Sequence, residues 1–256
     1  MIEIQNLCKT YGGKVALRDL SLSLKQGEVF AFLGPNGAGK TTTIKILAGL
    51  VRPTSGKAAI GGFDITQQGL QAKALMSYVP DEPYLYDKLT AREFLRMIGD
   101  LYNIPRDKVD GKIAEMAQAF ELEGFIDDLT ESFSHGMKQR TVLAAALLHD
   151  PAVLVIDEPM VGLDPKSAKA AKDLLRKLAT EKRLTVFMST HTLSVAEEVA
   201  DRIGILSEGR LVALGTLEEL RALQVQHGIP GHQRLEDLFL DLTGGNGNGR
   251  KPLEKA

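Results

Sequence analysis

Residues 34–41 read GPNGAGKT, a glycine-rich run that ends in Lys40 and Thr41. An apolar run at 29–33 comes before it, and apolar residues at helical spacing follow at 41–50. Glycines let the backbone curl so that successive N–H groups converge on phosphate oxygens, and a following helix adds its positive end. The lysine supplies a point charge and the threonine hydroxyl is placed to ligate Mg²⁺. A flexible turn before a helix would look similar, but the flanking strand and helix favour a nucleotide-phosphate site. We expect it to comprise Gly34, Pro35, Asn36, Gly37, Ala38, Gly39, Lys40, Thr41 and Thr42.

A second apolar run, at 153–156, ends in the acids Asp157 and Glu158. In an open α/β sheet the carboxyl ends of the strands line the ligand crevice. Side chains alternate along a strand, so the two acids cannot play the same role. Asp157 suits Mg²⁺, bound through water because this ion keeps part of its hydration shell. Glu158 suits the general base that orients an attacking water. An ordinary strand entering a loop has the same pattern, but a phosphate loop upstream favours hydrolysis.

The N-terminal and central parts of the chain differ in pattern. Residues 2–7 and 20–24 are rich in β-formers around a polar turn, which predicts an antiparallel N-terminal layer, and 57–65 reads as another hairpin strand. From about 84 to 150 the pattern is helical, and Thr90 with Glu93 can form a capping box at one helix start. One apolar stripe at helical spacing predicts packing rather than a ligand site. Its members are Val109, Ile113, Met116 and Phe120.

Strands return after residue 150, at 153–156, 185–189 and 203–206, with helices between them. One of these helices begins at Asp164–Pro165, a good N-cap followed by proline at the first helical position. Alternating strands and helices imply a mostly parallel sheet with covered faces. The predicted fold class is therefore α/β: a P-loop NTPase core with a mostly parallel sheet, an N-terminal antiparallel β layer and an inserted α-helical subdomain.

The remaining motifs follow in the order found in the ATP-binding-cassette (ABC) family, which the chain resembles over about residues 2–222. Residues 133–137 (FSHGM) stand where the family has its signature, LSGGQ, although SHGMKQR alone would read as a plain helix start. Ser134 is a good N-cap, and Gly136 lets a backbone approach a phosphate. Residues 162–164 (GLD) resemble the family's dimer-contact loop.

Two further positions take their expected roles from the resemblance. His191 follows a predicted strand where the family has its switch histidine, which implies a catalytic role, although a lone histidine is usually structural. Tyr11 matches the family's aromatic residue that stacks on adenine, and the alternative is a tyrosine that packs a turn.

The chain departs from the family pattern at three positions. Asp81 stands where the family usually has glutamine, and we expect it to approach Mg²⁺ or its water with a full negative charge. His135 and Met137 replace the commoner glycine and glutamine of the signature. Ser134 and Gly136 remain, so the signature keeps the main groups with which it would contact phosphate.

Composition narrows the function classes. The 256 residues carry 31 basic and 33 acidic side chains without a long basic run, so no nucleic-acid partner is expected. The N-terminus does not read as a secretory signal, and no stretch of the ~20 apolar residues needed for a membrane span occurs. The single cysteine, Cys8, excludes an internal disulfide. We expect a protein that is cytoplasmic and attached to the membrane only through a partner.

The resemblance implies a full set of partners and cofactors. They are ATP and Mg²⁺, a second ATPase subunit (the same chain or a paralogue) in a head-to-tail dimer, and the transmembrane subunits of a transporter. Residues 80–90 and 235–240 look most like the ATPase subunits of two-component export systems. The domain prediction is an ABC ATPase domain at 1–222 with the helical subdomain at about 84–150 inside it. A C-terminal helical extension at 223–242 and a disordered tail at 243–256 follow.

Two other function classes compete with the transport ATPase. A non-transport ABC protein acting on ribosomes or DNA would carry two cassettes or a long coiled-coil insertion, and the chain has one cassette and no heptad run. A P-loop kinase or GTPase is disfavoured by the signature and the switch histidine, and no NKxD motif for guanine is present.

Overall fold

The computed structural model describes residues 1–226 and 235–244. An antiparallel sheet of four strands is formed near the N-terminus, with β1 at its centre pairing both β2 and β4. This sheet confirms the predicted N-terminal layer, and its first two strands are longer than their β-forming patterns. The strands are β1 (Ile2–Tyr11), β2 (Lys14–Leu24), β4 (Ser55–Ile60) and β5 (Phe63–Asp64).

The second sheet has six strands in the order β10-β9-β3-β8-β7-β6. All neighbouring pairs are parallel except β9 with β10, so the predicted mostly parallel sheet is confirmed. Because β3 lies between β9 and β8, its carboxyl end is central, where a ligand crevice is expected. The strands are β3 (Val29–Leu33), β6 (Met76–Val79), β7 (Val153–Asp157), β8 (Thr185–Thr190), β9 (Arg202–Ser207) and β10 (Arg210–Gly215).

Helices pack around these sheets. The predicted capping box is present at the start of α3, where Thr90 and Glu93 each bond the other's backbone N–H. Asp164 caps α6 and Pro165 occupies its first turn, as the sequence predicts. The helices are α1 (Lys40–Leu47), α2 (Gly69–Ala74), α3 (Ala91–Leu101), α4 (Arg106–Ala119), α5 (His135–Leu147), α6 (Pro165–Lys182), α7 (Leu193–Val199), α8 (Leu217–Gln226) and α9 (Leu235–Leu242).

Two hydrophobic cores lie on opposite faces of the six-stranded sheet. Successive residues of β3 point to opposite faces, so Phe30 and Phe32 enter the core shared with the antiparallel sheet and α1. Ala31 enters the other core, which includes α3, α4 and α5. The apolar stripe predicted on α4 is buried in that second core. The strand β3 is therefore fixed from both sides at the point where it leads into the glycine-rich loop.

The domain boundaries stay predictions. The region 84–150 holds α3, α4, a 3₁₀ turn at Thr130–Ser132 and α5, and α8 runs across the boundary predicted at 222. The tail predicted at 243–256 lies, apart from residues 243 and 244, outside the described residues. Among the helices of the described ranges, none combines the length and the apolar character that a membrane crossing requires.

Candidate active site

The glycine-rich loop is enclosed by backbone from two other strands. A Cβ on Gly34 would lie 2.5 Å from the carbonyl oxygen of Leu206, and one on Gly39 would lie 2.7 Å from that of Ala16. Gly39 also has φ of +113°, a conformation that favours glycine. The loop therefore owes its glycines to close packing against the end of β9 and the start of β2. No side chain of the described residues caps α1, so its first N–H groups remain for a ligand.

Lys40 is held against the loop that precedes it. Its side chain is 7% exposed, and Nζ donates to the carbonyl oxygens of Gly34 at 2.6 Å and Pro35 at 3.2 Å. Burial lowers the pKa of Lys40, while the charges of Glu158 and Asp157 act in the opposite direction. The ammonium is thus pre-positioned by carbonyl oxygens that phosphate oxygens can replace.

Most of the predicted site residues line one cleft of about 360 Å³. Four separate parts of the chain meet there: the hairpin of β1 and β2, the glycine-rich loop with α1, the end of β7 and the segment after β6. The lining comprises Tyr11, Lys14, Ala16, Asn36, Gly37, Gly39, Lys40, Thr41, Thr42, Asp81, Asp157 and Glu158. Gly34, Pro35 and Ala38 belong to the same loop but do not line the cleft, and Ala38 is buried.

Asp157 ends β7 in a buried position and is 2% exposed. The Ser189 hydroxyl donates to its Oδ1, whereas the buried Oδ2 has no hydrogen-bond partner among the described residues. The structure describes no group of three or more His, Cys, Asp or Glu side chains that could hold a metal by themselves. Mg²⁺ is commonly bound by one or two carboxylates together with substrate phosphates, so Asp157 beside Thr41 suits a metal that arrives with a nucleotide.

Glu158 is turned away from the strand by a left-handed backbone, with φ of +49°. Its N–H donates to the Ser189 carbonyl at 3.2 Å, and its side chain is 16% exposed. His191 contacts the carboxylate twice, with Nδ1 2.9 Å from Oε1 and its backbone N–H 3.4 Å from Oε2. Glu158 therefore faces the cleft while His191, which lies outside it, holds the carboxylate.

Asp81 and Tyr11 form two edges of the cleft. Asp81 is exposed and follows the strand that carries Tyr78. Burial, followed by the charges of Asp157 and Asp81, raises the pKa of Tyr78 to about 12, so both carboxylates act on the same ring. The Tyr11 ring is 44% exposed, and the Lys9 ammonium lies 4.7 Å from its centroid. An exposed face on Tyr11 suits stacking with a base.

The predicted signature residues lie elsewhere. Ser134 caps α5 and its exposed hydroxyl accepts from the Met137 N–H at 3.3 Å. Neither Ser134 nor Gly136 is among the residues that line the cleft in the described part of the chain. The structure thus assembles the loop, the acids, Asp81 and Tyr11 around one cleft, whose lining does not include Ser134 and Gly136.

Three residues of the site were not found from the sequence. Lys14 and Ala16 line the cleft from the start of β2. Ser189 holds both Asp157 and Glu158, because the parallel register places it directly opposite Asp157. The only sequence signal for Ser189 is its place two residues before His191, at the end of a strand.

Several known proteins have sequences similar to this chain. Residues 17–161 match the family model described as ABC transporter. The linearmycin resistance ATP-binding protein of Bacillus subtilis (strain 168) is 40% identical over 220 residues, which cover 86% of this chain and 70% of the relative. The bacitracin transport ATP-binding protein of Bacillus licheniformis is 39% identical over 212 residues, covering 83% and 68%.

Solved structures share the fold of this chain. An ATP-binding subunit of an ABC transporter superposes with a TM-score of 0.87 at 32% identity, covering 95% of this chain and 99% of that one. A dimeric ATP-binding cassette in a post-hydrolysis state, bound to ADP and Pi, superposes with a TM-score of 0.78 at 28% identity, covering 85% and 99%. Sequence motifs, fold and relatives agree: the chain belongs to the ABC transporter family and is an ATP-hydrolysing ATP-binding subunit.

Proposed function

We propose that this ATPase subunit powers export through transmembrane subunits carried on separate chains, to which it is bound at the cytoplasmic face of the membrane. Two chains would form a head-to-tail dimer with ATP and Mg²⁺ between them. The observation that carries this proposal is the divided site. One cleft holds the phosphate loop, both acids and Asp81, whereas Ser134 and Gly136 lie outside it. Relatives named for drug resistance and transport support the export direction.

In the proposed reaction, water attacks the γ-phosphorus of ATP and the bond to the bridging oxygen breaks, which yields ADP and phosphate. Lys40 and the N–H groups of the loop bind the phosphates, and Tyr11 stacks on adenine. Glu158 orients the attacking water and accepts a proton from it, while His191 keeps the Glu158 carboxylate in place through the 2.9 Å contact. Thr41 and Asp157 would hold Mg²⁺, which would neutralise phosphate charge. Asp81 lines the same cleft and would orient a water bound to Mg²⁺.

The proposed docking region for the membrane subunits lies next to Asp81. Tyr84 and Tyr86 are 73% and 49% exposed, and their rings pack edge to face at 5.7 Å. Tyr86 also packs against Phe94 of α3, so this exposed pair is anchored to the helical region. Exposed aromatic residues of this kind are common at protein interfaces. Movement of a bound membrane subunit would therefore be transmitted through these contacts to both Asp81 and α3.

Purification of the tagged protein from detergent-solubilised membranes tests the proposal. We expect a polytopic membrane protein to co-purify, and we expect the double variant Tyr84→Ser/Tyr86→Ser to lose it while still binding ATP. Leu70→Ser is the matched control, because Leu70 is 84% exposed but lies on α2. Co-purification with ribosomes or DNA, and with no membrane protein, would instead support the non-transport alternative.

A further inference from the structure

The start of α5 contacts the loop that carries Glu158 through a side chain that the family pattern does not contain. His135 stands where the signature commonly has glycine, and its Nε2 lies 3.3 Å from the carbonyl oxygen of Val161. Because a carbonyl only accepts hydrogen bonds, this contact requires that Nε2 carry the proton. Glycine at position 135 could not make it. The contact joins α5 to residues 158–163, which we call the Glu158 loop.

The His135 ring fills the space beside a glycine of the same loop. A Cβ on Gly162 would lie 2.2 Å from Cδ2 of His135 and 2.5 Å from its Nε2. Gly162 has φ of +76°, which is favourable for glycine. The imidazole thus occupies the position that any other side chain at 162 would need, and its edge packs directly on the backbone of the loop.

The connection continues through Val161 to the proposed base. The N–H of Val161 donates to the carbonyl of Glu158 at 3.2 Å, so one residue bonds His135 with its carbonyl and Glu158 with its N–H. A second tie from α5 is longer: Nε2 of the buried Gln139 lies 3.5 Å from the Pro159 carbonyl. His135 therefore supplies the shorter of these two side-chain ties between α5 and the Glu158 loop.

We propose that His135 is a positioning residue that fixes the Glu158 loop to the first turn of α5, so that Ser134 and Glu158 move as one unit. This inference rests on the proposed function only for its consequence in catalysis, since the physical tie is independent of it. A nucleotide contact made by Ser134 would then be transmitted to the Glu158 of the same chain. In relatives with glycine at this position the transmission has to use other contacts.

Two substitutions separate the hydrogen bond from the bulk of the ring. His135→Gln keeps an N–H donor at a similar reach, whereas His135→Leu keeps an apolar side chain of similar size and removes the donor. Hydrogen exchange of a peptide that covers 157–165 reports the loop directly. We expect exchange to be faster in the leucine variant by roughly two- to tenfold, the change in an equilibrium that one such hydrogen bond makes, and nearly unchanged in the glutamine variant.

Steady-state kinetics then measures the consequence. Because His135 is not among the residues that line the cleft, the leucine variant should lower kcat by a similar factor with KM for ATP unchanged, and glutamine should restore it. Equal exchange in the wild type and the leucine variant would overturn the proposal, and so would equal losses in both variants. If kcat falls without a change in exchange, His135 acts at the nucleotide and is not a positioning residue. Retained hydrolysis in Glu158→Gln would instead contradict the proposed function and leave the exchange result standing.

Discussion

The proposed nucleotide site has two halves that differ in how many contacts one chain supplies. The enclosed half is the phosphate loop with Lys40 and Glu158, and the exposed half is the start of α5 with Ser134. At the phosphate loop, the conformation is imposed by close contacts with Leu206 and Ala16, and Lys40 is buried with both of its partners in place. At the start of α5, Ser134 is exposed, and its hydroxyl bonds only the N–H of its own helix among the contacts described. The first half is closed by contacts within one chain, whereas the second leaves Ser134 exposed at the N-terminus of α5.

This difference predicts which substitutions lower the rate of hydrolysis, which lower the affinity for ATP and which weaken coupling to the membrane subunits. Changes in the enclosed half should act in the isolated chain. Changes at the exposed edges of the cleft, such as Asp81, should act mainly when the second cassette or the membrane subunits are present. The effects below are arranged from the largest to the smallest.

The largest effect is expected for Glu158→Gln, which removes the proposed base from the enclosed half. ATP binding should persist because Lys40 and the loop are untouched, and turnover should fall by roughly 10²–10⁴, the usual contribution of a positioned base. Single-turnover hydrolysis measures the fall in the rate of hydrolysis, and gel filtration with ATP should show an accumulated dimer. Rapid hydrolysis by this variant would move the base to another group, with His191 the next candidate.

Lys40→Ala should remove most nucleotide binding, because it deletes the buried positive charge that faces the phosphates. The loss of one charge-assisted contact corresponds to roughly a ten- to hundredfold weaker affinity. Titration of labelled ATP against both proteins checks this value, with circular dichroism to confirm that the variant is folded. Unchanged affinity would contradict the assignment of the loop at 34–41 to phosphate binding.

Asp81→Ala should affect coupling more than binding, because Asp81 lies at the exposed edge between the cleft and Tyr84. ATP affinity should stay close to that of the wild type, while stimulation of hydrolysis by the membrane subunits falls severalfold. Asp81→Gln, which has the family's common residue, is the matched control for the negative charge. Complete loss of ATP binding in the alanine variant would show that Asp81 belongs to the enclosed half instead.

The smallest effect concerns stability at His149, which is not among the residues that line the cleft. His149 stacks on Tyr102 with ring centroids 3.6 Å apart, and Ser77 lies 3.4 Å from its Nε2. Burial lowers the pKa of His149 from 6.5 to about 4, with Asp150 acting against this shift and Lys112 with it. Between these pH values the unfolded chain binds the proton and the folded chain does not, so stability should fall as the pH drops from 6.5 towards 4.

His149→Phe tests this prediction, because phenylalanine keeps a ring against Tyr102 and cannot titrate. Thermal unfolding of both proteins at pH 7 and pH 5 should show a smaller decrease in Tm for the variant. Nucleotide affinity at pH 7 should be the same in both proteins. An equal decrease in Tm would assign the acid sensitivity to other groups.

Local sequence patterns were sufficient to predict the parts of the site whose residues are close together in the sequence. Strand, loop and helix around Lys40, and the acids at the end of β7, are each specified within about ten residues. The helix after the loop is shorter than predicted: α1 ends at Leu47 because Gly49 takes a left-handed conformation and Leu50 bonds back to the Lys45 carbonyl. A glycine near a helix end permits this termination but does not fix where it occurs.

Contacts between distant residues could not be predicted. The Ser189 hydroxyl reaches Asp157 only because β7 and β8 pair in one register, and a shift of one residue would turn the side chain away. His135 and Gly162 are likewise brought together by the packing of α5 beside the Glu158 loop. The sequence shows that His135 is unusual for the family, whereas its role depends on a neighbour that only the fold identifies.

The central claim is that each ATP is held by the enclosed half of one chain and the exposed half of another. Lys40→Ala and Ser134→Arg should each be nearly inactive alone. A heterodimer of the two variants has one site with both defects and one site with neither, so mixing two inactive proteins should restore hydrolysis. A pull-down of one tagged variant with the other must first show that heterodimers form, and the membrane partner is included if the isolated wild type is inactive.

If the mixture does not hydrolyse ATP, a second experiment makes the result interpretable. In it, two cassettes are joined covalently and only one of them is mutated. Activity in the fused protein with one intact site would show that sites fire independently, and recovery in the mixture is then required. The measurement is ATP hydrolysis by the proven heterodimer as the ratio of the two variants is changed. The composite site predicts a maximum near equal amounts. No activity at any ratio, together with an active fused protein, would contradict it.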